Sequence, residues 1–88
     1  MILTIIWTVI YAPKAQRDLE GLGDELAKKV ILLMDEIALD PYKLLEKLTN
    51  SPLYKFRIGV YRGIVDIVND KLILQVVKIK HRSQVYKK

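Results

Sequence analysis

The sequence predicts an α+β domain with the element order β-α-α-β-β-β, in which an N-terminal αα-hairpin packs on one face of a mainly antiparallel sheet. Three observations predict this arrangement. The chain opens on an apolar segment of alternating character, two stretches with helical periodicity follow, and the period returns to two in the last third. A chain of 88 residues has room for one core and two layers, so we expect a single domain over residues 1–88.

The opening segment is predicted to form a β-strand over Leu3–Tyr11. β-Branched residues are frequent in it, and its odd positions are more apolar than its even positions. We therefore expect the odd positions to face the core. Ala12 and Pro13 end the strand, and Pro13 suits the first turn of a helix, where no backbone N–H is needed.

Two amphipathic helices are predicted next. The apolar stripe of the first helix consists of Ala15, Leu19 and Leu22. This helix is expected to end at Gly21 or Gly23, and Asp24 is placed to cap the second helix. The stripe of the second helix is Leu26, Val30, Leu33 and Ile37, widened by Ala27, Met34 and Ala38. Asp40 and Pro41 end that helix, because the residue before a proline disfavours helical geometry.

The rest of the chain is predicted to be mainly β-structure. Residues 42–51 fit either a helical turn or a loop. Strands are then predicted over Tyr54–Ile58, Tyr61–Val68 and Leu72–Lys80. Gly59 allows a turn between the first two, and Asn69 and Asp70 are expected to form a tight hairpin because both tolerate positive φ.

Positive charge is concentrated in the last part of the chain. Residues 1–51 hold six Lys/Arg against eight Asp/Glu, a net charge of −2. Residues 52–88 hold nine against two, a net charge of +7, which gives +5 for the whole chain. A sheet with this charge repels itself, so its use is the binding of a polyanion, and nucleic acid is the usual one.

The basic residues recur at every second position of the predicted strands. Lys55 and Arg57 therefore share one face of their strand, and Lys78, Lys80 and Arg82 share one face of theirs. A single exposed lysine on a strand more often serves solubility or protects an edge. The clustered set favours nucleic-acid binding.

The chain has no cysteine, and His81 is its single histidine. These counts exclude a disulfide framework and metal sites built on cysteine or on clustered histidines. We therefore expect chemistry that needs neither a metal nor a cofactor. The absence of cysteine also fits a reducing cytoplasm.

A series of short motifs runs nearly from end to end of the chain. In order they are Y-A-P-K-A-Q-R-D-L-E-G-L at 11–22, D-P at 40–41, Y-K-F-R at 54–57, Y-R at 61–62 and H-R-S-Q-V-Y at 81–86. In this order the chain resembles the RelE/ParE toxin superfamily, and it is most similar to RelE-type mRNA interferase toxins. The resemblance implies a single RelE-like toxin domain.

The resemblance also implies a function. The chain would be the toxin of a type II toxin–antitoxin system, a ribosome-dependent endoribonuclease that cuts mRNA in the A site and inhibits translation. The implied reaction is attack of the 2′-OH on the neighbouring phosphate, which leaves a 2′,3′-cyclic phosphate and a 5′-OH. The implied partners are a cognate RelB-type antitoxin, the ribosome and mRNA.

Site residues follow from matching positions and from chemistry. Arginine suits stabilisation of the charge on phosphorus, because its planar guanidinium matches phosphate oxygens and stays charged. The catalytic candidates are Lys55, Arg57, Arg62, Arg82 and Tyr86, of which Arg62 and Arg82 match the family's phosphate clamp. The proton acceptor is open between Lys55 and Tyr86, and His81 is a secondary candidate, although it points away from Lys80 if the strand continues. The residues assigned to RNA or ribosome contact are Lys78, Lys80, Lys87 and Lys88.

Two other functions stay open at this stage. ParE-type members share the fold and the terminal motif but act on DNA gyrase, in which case the basic face would only bind. The chain would alternatively bind an antitoxin without being active. Free RNA is expected to be a poor substrate, because the ribosome would supply the substrate geometry.

Overall fold

The computed structural model describes residues 5–81, which form three helices and a five-stranded sheet. In chain order the elements are β1 Thr8–Tyr11, α1 Pro13–Gly21, α2 Asp24–Ile37, α3 Pro41–Leu44, β2 Glu46–Lys47, β3 Tyr54–Ile58, β4 Tyr61–Val68 and β5 Ile73–His81. A 3₁₀ turn at Asn69–Lys71 connects β4 to β5. The predicted α+β class is confirmed, with β2 and α3 added in the segment that sequence left open.

The sheet is mostly antiparallel and has the strand order β1-β5-β4-β3-β2. Only β1 runs parallel to its neighbour within the described chain, and it pairs with residues 73–76 at the start of β5. Because β1 ends at Tyr11, no strand among the described residues covers residues 77–81 on that side of β5. This uncovered part of β5 borders the candidate site.

The core lies between the helical hairpin and one face of the sheet. The helices contribute Ala15, Leu19, Val30, Met34 and Ile37, and the strands contribute Phe56, Val65, Leu74, Val76 and Ile79. Trp7, Val9 and Tyr11 pack against this cluster, as predicted for the odd positions of the first strand. Between β3 and β4 the ring of Phe56 lies over Gly63, where a Cβ atom would meet it at 2.1 Å.

Several local predictions were wrong. The first strand begins at Thr8, because the N–H of Trp7 donates a hydrogen bond of 3.0 Å to Ala38 O and not to β5. The predicted first residue of this strand, Leu3, lies outside the described residues. The N-cap of α2 is Gly23 and not Asp24, which is the first residue of the helix. The backbone at the N-cap has a φ of 89°, a conformation that glycine adopts without strain.

The predicted hairpin at Asn69 and Asp70 was also wrong in detail. Both residues belong to the 3₁₀ turn, and the left-handed residue that closes it is Leu72, with φ of 53°. β5 therefore begins at Ile73 and not at Leu72. The longest of the described helices, α2, has 14 residues, and none of the helices within residues 5–81 could span a bilayer.

Candidate active site

A β-bulge in β5 decides which way the lysines of this strand point. Ile64 opposes Lys78 but its neighbour Val65 opposes Val76, so Val77 is an extra residue in β5. Leu74 and Val76 before it are buried against the helices, and strict alternation would put Lys78 and Lys80 on that same side. The extra residue reverses the phase, so that Ile79 is buried in the core and the lysines lie on the opposite face.

Basic side chains from three adjacent strands line up across this opposite face. Arg57 in β3 opposes Arg62 in β4, and Arg62 opposes Lys80 in β5. The next row along the strands contains Lys55, Ile64 and Lys78. Directly opposed residues share a face, with Cβ atoms about 4.5–5.5 Å apart. We call this surface the cationic face, formed by Lys55, Arg57, Arg62, Lys78 and Lys80.

The cationic face lies on the side of the sheet away from the helices. The intervening row contains Phe56, Gly63 and Ile79, all of them buried, and its side chains face the helical hairpin of α1 and α2. Ile64 is buried although it belongs to the cationic face. Its direct cross-strand neighbours are Lys55 and Lys78, and lysine stems can cover apolar surface while the ammonium group stays in water.

Little negative charge neutralises the cationic face. Lys55 Nζ lies 3.8 Å from a carboxylate oxygen of Glu46 on β2. Within the described part of the chain, the other four basic residues of the face form no ion pair. Arg62 Nε is buried and has no hydrogen-bond partner among residues 5–81. A buried donor of this kind costs about 1–3 kcal/mol unless an acceptor arrives, so the arrangement suits an anionic ligand.

Lys80 has the most perturbed environment on this face. The positive charge of Lys78 lowers the pKa of Lys80, as do partial burial, a hydrogen bond with the Lys78 amino group, and the charges of Arg62 and Lys14. A lysine in such surroundings exchanges a proton more readily near neutral pH than an ordinary one.

An open groove of about 790 Å³ lies beside the cationic face, between α1 and the uncovered part of β5. It is lined by Lys14, Arg17, Asp18, Gly21, Leu22, Tyr61 and residues 78–81. Tyr61 opposes His81, and their rings pack edge to face with centroids 5.2 Å apart. This pair belongs to the helix-facing side, so His81 lies on the other side of β5 from Lys80 and Arg62.

Asp18 connects α1 to the uncovered part of β5. Its carboxylate accepts a hydrogen bond of 2.9 Å from the N–H of Ile79 and is paired with Lys14. Burial alone would raise the pKa of Asp18, but the hydrogen bonds from Lys14 and Ile79 and the charges of Lys14 and Arg17 hold this pKa below its ordinary value. Asp18 thus supplies the acceptor that β1 no longer provides here.

Replacing Asp18 with alanine should destabilise the fold by about 1–3 kcal/mol, because the N–H of Ile79 loses its acceptor. The folded-state pKa of Asp18 is lowered, so this stabilisation is present above the unfolded-state value of about 3.9 and is lost as pH falls through the folded-state value. Urea denaturation of wild type and Asp18→Ala at neutral and acidic pH tests this. The difference in unfolding free energy between wild type and Asp18→Ala should become smaller below about pH 4. Glu20→Ala, exposed on the same helix, is the matched control, and equal stability of the two variants would contradict the assignment.

The structure brings together five of the predicted site residues and leaves others undescribed. Lys55, Arg57, Arg62, Lys78 and Lys80 share the cationic face. The predicted residues Arg82, Tyr86, Lys87 and Lys88 lie outside the described residues. Sequence reasoning missed the contact of Asp18 with β5, since nothing in the pattern joins two positions this far apart. Among residues 5–81, no three His, Asp or Glu side chains are grouped as a metal site would require.

The fold is shared with toxins of toxin–antitoxin systems. A chain of the RelBE2 toxin–antitoxin complex from Mycobacterium tuberculosis superposes with a TM-score of 0.82 at 21% identity, covering 90% of this chain and 94% of that one. For the archaeal RelE–RelB complex from Pyrococcus horikoshii the TM-score is 0.76 at 21% identity, with 90% and 98% covered. For the isolated E. coli RelE toxin it is 0.75 at 18% identity, with 91% and 90% covered. At these identities the likeness establishes the fold.

Family membership comes from the sequence. The profile of the family described as "ParE toxin of type II toxin-antitoxin system, parDE" matches residues 9–86. The match spans most of the chain, which therefore belongs to this family of type II toxins within the RelE/ParE superfamily, as the motifs predicted. No curated protein sequence matches the chain.

Proposed function

We propose that the protein is a ribosome-dependent endoribonuclease that cuts mRNA in the A site by attack of the 2′-OH on the neighbouring phosphate. The observation that carries this proposal is the row of Arg57, Arg62 and Lys80 across three strands. These three cations have no carboxylate partner among the described residues, so they can stabilise the additional negative charge that a phosphate acquires when the 2′-oxygen attacks it.

The cationic face matches the main electrostatic demand of this reaction. Attack of the 2′-oxygen adds negative charge to the oxygens on phosphorus, and fixed cations stabilise it. Arg62 is the central member of the row, and its buried Nε has no partner in the described chain. Guanidinium groups bind phosphate oxygens through two parallel hydrogen bonds, so Arg57 and Arg62 can hold the scissile phosphate from two sides. By family position we also assign Arg82 to this clamp and Tyr86 to substrate contact, although both lie outside the described residues. Lys55 belongs to the next row of the cationic face.

The residues of the cationic face also support the proposed dependence on the ribosome. Within the described residues the cationic face offers no carboxylate–histidine pair for proton transfer, and His81 lies on the other side of the sheet. The proposed mechanism therefore relies on charge stabilisation and on a substrate already held in an attacking geometry. Reaching that geometry accounts for a large part of the activation barrier in such reactions. The ribosomal A site would hold the mRNA in that geometry, and free RNA would be a poor substrate.

The proposed regulatory partner is a cognate RelB-type antitoxin. The structurally similar toxins from M. tuberculosis and P. horikoshii are found in complexes with their antitoxins. A net charge of +7 over residues 52–88 favours an acidic segment in the partner. We expect the dissociation constant of the complex to rise with salt concentration, measured by calorimetry, because charge pairs at the rim of an interface are screened. A dissociation constant independent of salt would mean that the interface is mainly apolar.

Inhibition of DNA gyrase is a second candidate function, because the matching family is described by its ParE toxin. In that case the cationic face would bind without performing chemistry. The row of phosphate-binding side chains favours the nuclease, since an inhibitor that acts by binding has no need for a buried, unpartnered guanidinium nitrogen.

One paired experiment separates the two functions. The wild-type protein is added to translating ribosomes, and the 3′ ends of the mRNA are mapped by sequencing; in parallel it is added to a gyrase supercoiling assay. Cuts inside A-site codons with unaffected gyrase are the expected result. Gyrase inhibition without mRNA cuts would refute the nuclease, and inactivity in both assays would leave an antitoxin-binding homologue without activity.

A further inference from the structure

We propose that Lys80 is the residue that accepts the proton of the attacking 2′-OH. This inference rests on the proposed nuclease function and names a proton acceptor within it. Sequence reasoning assigned Lys80 to RNA contact and sought the acceptor among Lys55, Tyr86 and His81. The register of the sheet changes that assignment.

Position is the first argument. Lys80 is the direct cross-strand partner of Arg62, the central member of the phosphate-binding row. A phosphate held by Arg62 therefore has its neighbouring ribose oxygen within reach of the flexible Lys80 side chain, since opposed side chains start about 5 Å apart. The bulge at Val77 is what brings Lys80 to this face.

The charges around Lys80 are the second argument. The groups facing it are Lys78 on β5, Arg62 on β4, and Lys14 on α1, and all three carry positive charge. The carboxylate that lines the adjacent groove is Asp18, which is already engaged by Lys14 and by the N–H of Ile79. These charges, with partial burial, lower the pKa of Lys80 and increase the fraction of neutral amine that can take a proton.

The two described alternatives fit less well. Lys55 opposes Ile64 and not Arg62, and its ammonium group is paired with Glu46 at 3.8 Å. His81 opposes Tyr61 on the helix-facing side and packs against its ring. Lys80 alone among the three combines a place in the arginine row with surroundings that favour a neutral side chain.

The proposed step balances without a further reactant. The neutral amine of Lys80 takes the proton from the 2′-OH while the 2′-oxygen forms a bond to phosphorus. The bond from phosphorus to the 5′-oxygen breaks, and the 5′-oxygen takes a proton from water. The products are a 2′,3′-cyclic phosphate and a 5′-OH, and the ammonium of Lys80 returns its proton to the solvent.

Single-turnover cleavage of ribosome-bound mRNA, measured across pH, tests this step. The wild-type rate should rise about tenfold per pH unit and then level off near the pKa of Lys80, as expected for a general base. Lys80→Arg keeps the charge but cannot release a proton in this range, so it should be slower by about 10²–10⁴-fold and lose the plateau. Lys71→Arg, an exposed lysine in the 3₁₀ turn at the opposite end of β5, is the matched control and should behave as wild type.

A second variant moves the plateau and does not abolish it. Lys78→Ala removes the positive charge that lowers the pKa of Lys80 most, so this pKa should rise and the plateau should begin at higher pH. The ionisation of Lys80 is also measured directly by ¹⁵N NMR titration of its amino group in the intact protein, with Lys80→Arg used for assignment. It should titrate below the other lysines.

The outcomes distinguish this inference from the function it rests on. A Lys80→Arg variant that cuts at the wild-type rate with an unchanged pH profile would overturn the role of Lys80 and leave the nuclease intact. A Lys80 amino group that titrates at the same pH as the other lysines would also overturn the role of Lys80 and leave the nuclease intact. Wild-type protein that makes no cuts at any pH would overturn both.

Discussion

Replacing Gly63 with alanine should destabilise the fold by about 3 kcal/mol, the upper range for forcing an extra carbon into a packed core. A Cβ atom at this position would lie 2.1 Å from two ring carbons of Phe56. Phe56 is itself 4% exposed and belongs to the core. Either the ring must leave its place in the core or β3 and β4 must shift, and both changes disturb packing around Phe56.

Chemical denaturation of wild type and Gly63→Ala measures this effect. Gly21→Ala is the matched control, because a Cβ atom there meets nothing within 4 Å, and we expect a change of less than about 1 kcal/mol for it. Adding Phe56→Leu to Gly63→Ala should recover part of the lost stability, since the smaller side chain removes the clashing ring atoms. A Gly63→Ala protein as stable as wild type would show that the ring does not lie over Gly63.

The second large effect is expected at Arg62. Arg62→Gln should slow cleavage of ribosome-bound mRNA by about 10²–10³-fold, the range found when one fixed donor to a developing negative charge is removed. Arg62→Lys should also be impaired, because an ammonium group cannot form the paired hydrogen bonds of a guanidinium. Neither change should unfold the protein, since Arg62 Nε has no partner in the described chain to lose.

Single-turnover rates and denaturation midpoints of the same preparations separate catalysis from stability. Lys71→Gln removes one positive charge from an exposed position at the opposite end of the sheet and is the control for net charge. A wild-type rate for Arg62→Gln, with its fold intact, would remove Arg62 from the site and leave the cationic face as a binding surface.

Much of the fold could be predicted from sequence because its periodicities are clear. The stripe of the second helix predicted the buried Val30, Met34 and Ile37, and alternation predicted the strands that became β3 and β4. The two-residue strand β2 was not predictable, since it exists only through its pairing with Lys55 and Tyr54.

The site was predictable in its membership and not in its geometry. Alternation alone placed Lys55 with Arg57, and Lys78 with Lys80. The register of β5 against β4 depends on the 3₁₀ turn and on the left-handed conformation of Leu72. The geometry of this turn does not follow from its residues. The bulge left one detectable trace, because the apolar positions change phase between Val76 and Ile79.

The measurement that tests the central claim most directly uses ribosomes carrying mRNA with a single 2′-deoxynucleotide on the 5′ side of the expected cut, compared with all-ribose mRNA of the same sequence. The cationic face is proposed to stabilise attack by the 2′-OH, so the all-ribose mRNA should be cut to a 2′,3′-cyclic phosphate and the deoxy-substituted mRNA should stay intact at that position. Equal cutting of both mRNAs, or no cutting of either, would contradict this account.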